Sequence, residues 1–160
     1  MNLELKSFIR ILECPGTFMV ISSDLGKGLH PENKFGYGTR AARVALGAVY
    51  GKPVEYYGPV YKSHKIEGNK VIVTFDHVGQ GLTFKNGKDG KPGKLQGFGI
   101  AGATGRPVWA DAVIDGDTVV LSSDKVKQPV AISYSCPFTT RWANFFNKDG
   151  LPALSFTTKK

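Results

Sequence analysis

The pattern of apolar and polar positions changes near Gly51-Lys52-Pro53. Before that point, Leu3, Leu5, Phe8, Ile9 and Leu12 approximate a helical face that Cys14-Pro15-Gly16 stops. Thr17 to Ser23 follows as a nearly continuous apolar run rich in β-formers. That pattern predicts a strand buried on both faces, as in a parallel sheet covered by helices. After the loop Asp24-Leu25-Gly26-Lys27-Gly28-Leu29-His30, Pro31 suits a first helical position and Glu32 complements a helix dipole. A helix is expected through Tyr50 with Gly51 as its stop; Gly36 and Gly38 weaken its early turns and point to a start after them.

From Pro53 onward no helical period appears. Lys70–Asp76 reads as a short strand that follows Gly68-Asn69, a hairpin-type dipeptide preceded by Lys65-Ile66-Glu67. Pro107–Ile114 and Thr118–Leu121 flank Asp115-Gly116-Asp117, a second hairpin, and Leu95–Ala101 and Pro129–Ser135 add two strands. Short strands at this spacing predict a sandwich or barrel. The expected fold is therefore α+β: a short α/β remnant, helix-strand-helix, over residues 1–52, then an all-β sandwich-like domain over 53–160. One strand and two helices cannot bury both faces of a parallel-sheet strand. The first segment packs on the sandwich, is completed by a partner chain, or is the tail of a larger catalytic domain; the last is the favoured reading.

Composition narrows the function. The 160 residues are 41% hydrophobic and 21% charged, which fits a soluble globular chain and argues against overall disorder. No apolar run approaches a membrane span, and no signal-peptide pattern is visible at Met1-Asn2-Leu3. The net charge of +8 is spread, with seven basic and four acidic residues in 1–52 and 14 and nine in 53–160. Its densest cluster, Lys85, Lys88, Lys91 and Lys94 in a Gly-rich stretch, reads as a solvated loop. It lacks the interleaved aromatics of single-strand binders, so no nucleic-acid partner is expected. Cys14 and Cys136 make neither a metal cluster nor a disulfide scaffold and read as small packing residues; no metal or cofactor is expected.

Three histidines carry the candidate chemistry. His30 sits in a Gly-rich loop between a predicted strand and a helix N-terminus, where ligands bind in open α/β sheets; an imidazole there suits general base work on a serine hydroxyl. His64 and His77 read as strand or strand-end residues, and Asp76 and His77, as strand neighbours, would point to opposite faces. No serine lies in a Gly-x-Ser-x-Gly elbow. Gly26-Lys27-Gly28 is too short for a phosphate loop, and Gly97-Phe98-Gly99-Ile100-Ala101-Gly102 has no following helix to make it a dinucleotide site.

At Asp24-Leu25-Gly26 followed by His30-Pro31-Glu32-Asn33-Lys34, and again at Tyr50-Gly51-Lys52, the chain resembles the sialate O-acetylesterase family of SGNH-type carbohydrate esterases, near the end of their catalytic domain. The likeness continues through Tyr57-Gly58-Pro59-Val60-Tyr61-Lys62-Ser63, Ile66-Glu67-Gly68-Asn69-Lys70-Val71 and Phe75-Asp76-His77-Val78-Gly79-Gln80-Gly81-Leu82. It ends in Leu95-Gln96-Gly97-Phe98 and the closing Asn147-Lys148-Asp149-Gly150-Leu151-Pro152-Ala153. The resemblance implies the C-terminal part of an esterase acting on acetylated sugars, with His30 as the base of a serine nucleophile. The family's Gly-Gln-Ser block does not occur in this chain, so the chain alone is expected to be inactive. Where many members carry an aspartate two or three residues before the histidine, this chain has Gly28 and Lys27; Asp24 matches the aspartate that begins the loop and is the candidate orienter. The alternative is a non-catalytic sandwich that binds carbohydrate or docks on a partner, through Trp109, Trp142, Tyr56, Tyr57, Phe145 and Phe146.

Overall fold

The computed structural model describes residues 12–26, 30, 32–86, 93–136 and 143–159. The helix expected over Leu3–Leu12 falls almost wholly outside them, as do Lys27, Gly28, Pro31, Lys88, Lys91 and Trp142. Ten strands follow a single described helix, so the fold is α+β and mostly β.

The alternation at Lys70–Asp76 does what its period requires. Val71, Val73 and Phe75 turn inward and are buried, while Ile72 and Thr74 lie on the other face. This strand, β2 (Lys70–Asp76), pairs antiparallel with β1 (Val60–Glu67) through the expected hairpin, Glu67 opposite Lys70. Gly68 takes φ +60° at the turn, a value that L side chains resist. Two short strands, β3 (Leu82–Phe84) and β4 (Phe98–Ala101), come next. β5 (Pro107–Trp109) and β6 (Asp111–Asp115) lead into β7 (Thr118–Ser122), and β8 (Ala131–Tyr134), β9 (Phe145–Asn147) and β10 (Phe156–Thr157) complete the chain. One sheet has the order β1-β2-β7-β6, the other β10-β8-β4-β5, and β3 pairs with β9. The inward residues of both sheets meet in one core that includes Val73, Leu121, Phe98, Ile132 and Phe145. This is the expected sandwich.

Pro107–Ile114 is not one strand. It breaks at Ala110: β5 pairs with β4 in one sheet and β6 with β7 in the other. Ala110 still donates its N–H to the Phe98 carbonyl at 3.2 Å, after which the chain crosses between sheets. The period-two set Val108, Ala110, Ala112 and Ile114 runs through the corner without a break and hides it, because both halves face the same core.

The opening segment differs from expectation in two ways. Thr17–Ser23 pairs with no strand among the described residues; no neighbouring strand is at hand to accept its backbone. Instead it lies against the helix and sandwich, where the Met19 N–H donates to the Tyr57 hydroxyl at 3.1 Å. Met19, Val20 and Ile21 approach Val44, Tyr57 and Leu154 across a small cavity. The helix, α1 (Lys34–Val44), starts before the two glycines rather than after them. Asn33 caps it, its Oδ1 accepting the Gly36 N–H at 2.8 Å, and Gly36 leaves room for Leu25, whose Cδ2 would lie 2.9 Å from a Cβ there. The last turn widens to π geometry over Ala45–Val49 before Gly51 ends it at φ +63°. No helix among the described residues is long and apolar enough to cross a membrane. Cys136 is buried as expected, whereas Cys14, in a turn, is exposed.

Candidate functional site

The loop that carries His30 is closed at its base by the backbone: Leu25 N–H donates to the Ser22 carbonyl at 3.0 Å, and Asn33 N–H donates to the Leu25 carbonyl at 2.9 Å. His30 itself is exposed. At the foot of the loop, Asp24 receives a two-pronged guanidinium. Arg40 of α1 donates Nη1 to Oδ1 at 2.6 Å and Nη2 to Oδ2 at 2.8 Å, and Nη1 also reaches the Ile21 carbonyl at 2.7 Å. The planar fork of arginine matches a carboxylate in this way, and lysine cannot replace it. The side chains are 11% and 19% exposed, so solvent screens the pair only in part.

A third partner arrives from the sandwich. Lys85, just after β3, places Nζ 3.3 Å from Asp24 Oδ2 and 3.9 Å from the centre of the Phe146 ring. The lysine expected to be merely solvated thus joins the loop to the sandwich, while Lys94 stays exposed. Burial alone would raise the Asp24 carboxyl, but the hydrogen bonds and charge of Arg40, helped by Lys85, outweigh it and hold the group below its usual range.

A stability consequence follows from that sign. A carboxyl depressed in the folded state contributes stability that is complete above its unfolded value, about 3.9, and is lost as pH falls toward the folded value. We expect the wild type to resist urea better than Asp24→Asn by a constant margin above about pH 5. The margin should shrink as acid is added below that. Parallel midpoint-versus-pH curves for the two proteins, separated equally at all pH, would contradict it.

Among the described residues no hydrogen bond joins Asp24 to the His30 ring. The structure therefore brings Asp24 together with Arg40 and Lys85, with His30 on the same loop beyond them. Those two cations lie 16 and 61 positions from Asp24, and the sequence reading did not single them out as partners. The Arg in the helix after the His-Pro motif was the one available signal.

The same face of the helix is held again one turn further on. Arg43 Nε donates to the Glu55 carbonyl at 2.9 Å and Nη1 to the Asp149 carbonyl at 3.3 Å. Glu55 Oε1 accepts the N–H of Tyr56 at 3.1 Å and lies 2.8 Å from His77 Nδ1. The His77 ring meets both tyrosine rings edge-on, each centroid 5.2 Å away. His77 ends its strand as expected, but at φ +57°, held there by this cluster. His64, on β1, has Nδ1 2.7 Å from the Tyr61 hydroxyl. Among the described residues no group of three or more His, Cys, Asp or Glu is placed to hold a metal ion.

This arrangement, a helix and histidine loop clamped against an antiparallel sandwich, is similar in fold and sequence to part of a carbohydrate esterase. One solved structure that carries the likeness is a carbohydrate acetylesterase from Xanthomonas citri, at TM-score 0.77 and 39% identity over 86% of this chain. The chain spans 31% of the length of that structure. No family model matches the chain, and no curated protein matches it.

Proposed function

We propose that this chain is the closing part of a carbohydrate O-acetylesterase of the sialate O-acetylesterase, SGNH type. In this reading residues 1–52 end the catalytic unit and 53–160 form an accessory sandwich. The observation that carries it is the placement of His30: exposed, on a loop whose foot is pinned from the helix by Arg40 and from the sandwich by Lys85. A general base needs both access and a fixed position. The likeness to a carbohydrate acetylesterase at 39% identity supports the chemistry. Exposed apolar side chains on the same segment support the need for a larger partner surface: Phe35 is 86% exposed, with Val49 and Tyr50 also largely uncovered.

The serine would come from the remainder of the enzyme. His30 accepts the hydroxyl proton as the serine oxygen attacks the acetyl carbonyl, and returns it to the departing sugar hydroxyl. Water then attacks the acetyl-serine, His30 taking its proton and giving it back to the serine as acetate leaves. Asp24, through Arg40 and Lys85, anchors the foot of the loop that presents His30. The substrate class is an acetylated sugar, without a cofactor.

The test is reconstitution. Alone, the chain should hydrolyse 4-nitrophenyl acetate no faster than a protein blank. Mixed with the N-terminal catalytic portion of a carbohydrate acetylesterase that carries the Gly-Gln-Ser block, it should restore turnover. Turnover by the isolated chain that disappears in His30→Ala would overturn the need for a second part, and a failure to restore activity in the mixture would count against the catalytic reading.

A further inference from the structure

The helix that carries Arg40 has a second side. Arg40, Arg43, Val44 and Gly47 turn toward the loop and the sandwich, where Val44 is buried and a Cβ on Gly47 would run into the Tyr56 ring. The opposite side carries Phe35, Thr39, Ala42, Leu46 and Val49, spaced four, three, four and three positions apart and all exposed. We propose that this seam is the docking site of one α-helix, apolar along one face and acidic at both ends, supplied by the remainder of the enzyme.

Three observations select that occupant. The first is the spacing. Side chains that recur at four and three positions make the stripe along which a second helix lies, its own side chains fitting between them. A strand or an irregular loop does not match that repeat over the roughly 20 Å of helix axis from Phe35 to Val49. The second is the profile of the seam, which is large at its ends and small in its middle. Val49 is 62% exposed and the neighbouring Tyr50 70%, whereas Gly38 has open space where a Cβ would stand. The Thr39 hydroxyl donates to the Phe35 carbonyl at 2.8 Å, so contact at that point leaves no hydroxyl unpaired. The middle therefore admits a close helix crossing, and the ends supply apolar area to bury.

The third observation is charge. From Asn33 to Val54 the chain has no acidic residue. Arg40 and Arg43 are engaged inward, while Lys34 and Lys52 stand exposed beyond the two ends of the seam. A second copy laid antiparallel would set Lys34 against Lys52 at both ends, and one laid parallel would set each lysine against itself. A helix that ends in carboxylates meets attraction at both places instead. The chain spans 31% of the acetylesterase structure it resembles, so the rest of such an enzyme is long enough to supply the helix.

The source of the helix rests on the esterase reading, but the test reads binding rather than hydrolysis. Isothermal titration calorimetry of the full chain with the N-terminal catalytic portion used for reconstitution measures it, and analytical ultracentrifugation follows the chain alone. We expect a monomer alone, and one-to-one binding that weakens as salt is added. Leu46→Ala should weaken it by about tenfold or more, the effect of truncating a buried anchor. Ala42→Lys spares the fold, since the position is exposed and lysine suits a helix; it should weaken binding at least as much by blocking the close crossing. Lys34→Glu combined with Lys52→Glu should weaken binding and reverse its salt dependence. All three proteins should keep the wild-type circular dichroism spectrum. Any of four results would overturn the proposal: no binding, binding unchanged in Ala42→Lys, an unaltered salt response in the doubly reversed variant, or self-association of the chain that Ala42→Lys abolishes. Restored ester hydrolysis with an indifferent Ala42→Lys would keep the catalytic reading and lose the seam; binding through the seam without hydrolysis would do the opposite.

Discussion

In the reconstituted esterase, His30→Ala is expected to lower kcat for acetyl-ester hydrolysis by about 10²–10⁴-fold, the contribution of a positioned general base. KM should change little, because the imidazole acts on the serine proton rather than on the bound sugar. The expected pH profile separates this role from a structural one. In the wild type, kcat/KM should show an acid limb, falling as pH is lowered, as a base must be neutral to accept a proton. In the alanine variant that limb should vanish. A variant that loses activity through a raised KM, or one that keeps the same acid limb, would show that another group is the base.

The largest effect on folding is expected at Asn147. Its side chain is wholly buried and makes three hydrogen bonds: Nδ2 donates to the Tyr57 carbonyl at 3.0 Å and the His77 carbonyl at 3.1 Å, and Oδ1 accepts the Leu151 N–H at 3.0 Å. Leucine of similar size would leave all three backbone groups buried without that partner. Each such loss costs about 1–3 kcal/mol, so Asn147→Leu should destabilise the chain by about 4 kcal/mol, a large share of a typical domain's stability. A urea midpoint with an unchanged slope would measure it. A shift corresponding to less than about 1 kcal/mol would mean that the three groups find other partners. The effect should also reach the cluster around Glu55, since the Tyr57 and His77 backbones held by Asn147 belong to it.

The closing motif Asn147–Ala153 thereby acquires a physical account. Asp149 accepts the Gln80 N–H at 2.9 Å, and the backbone at Pro152 passes so close to Gly58 that a Cβ there would meet the Pro152 carbonyl oxygen at 2.1 Å. Nothing in the local pattern of the motif shows these two contacts, because Gln80 and Gly58 are distant in the chain.

That contrast describes how far the sequence could be read. β2 and its hairpin with β1 were legible because Val71, Val73 and Phe75 repeat with period two and Gly68 marks the turn. β3, β9 and β10 were not, being two or three residues long and too short for any period to register. Thr17–Ser23 has the composition of a buried strand, yet a strand exists only when another backbone accepts its hydrogen bonds. At the candidate site, His30 and Asp24 could be picked out from a motif and its spacing. The clamp of Arg40 and Lys85 on Asp24 could not, since it is made by folding rather than by neighbours in sequence.

The crossing at Ala110 has a mechanical consequence. Because one continuous thread borders both halves of the sandwich, neither layer can peel away while the other stays intact.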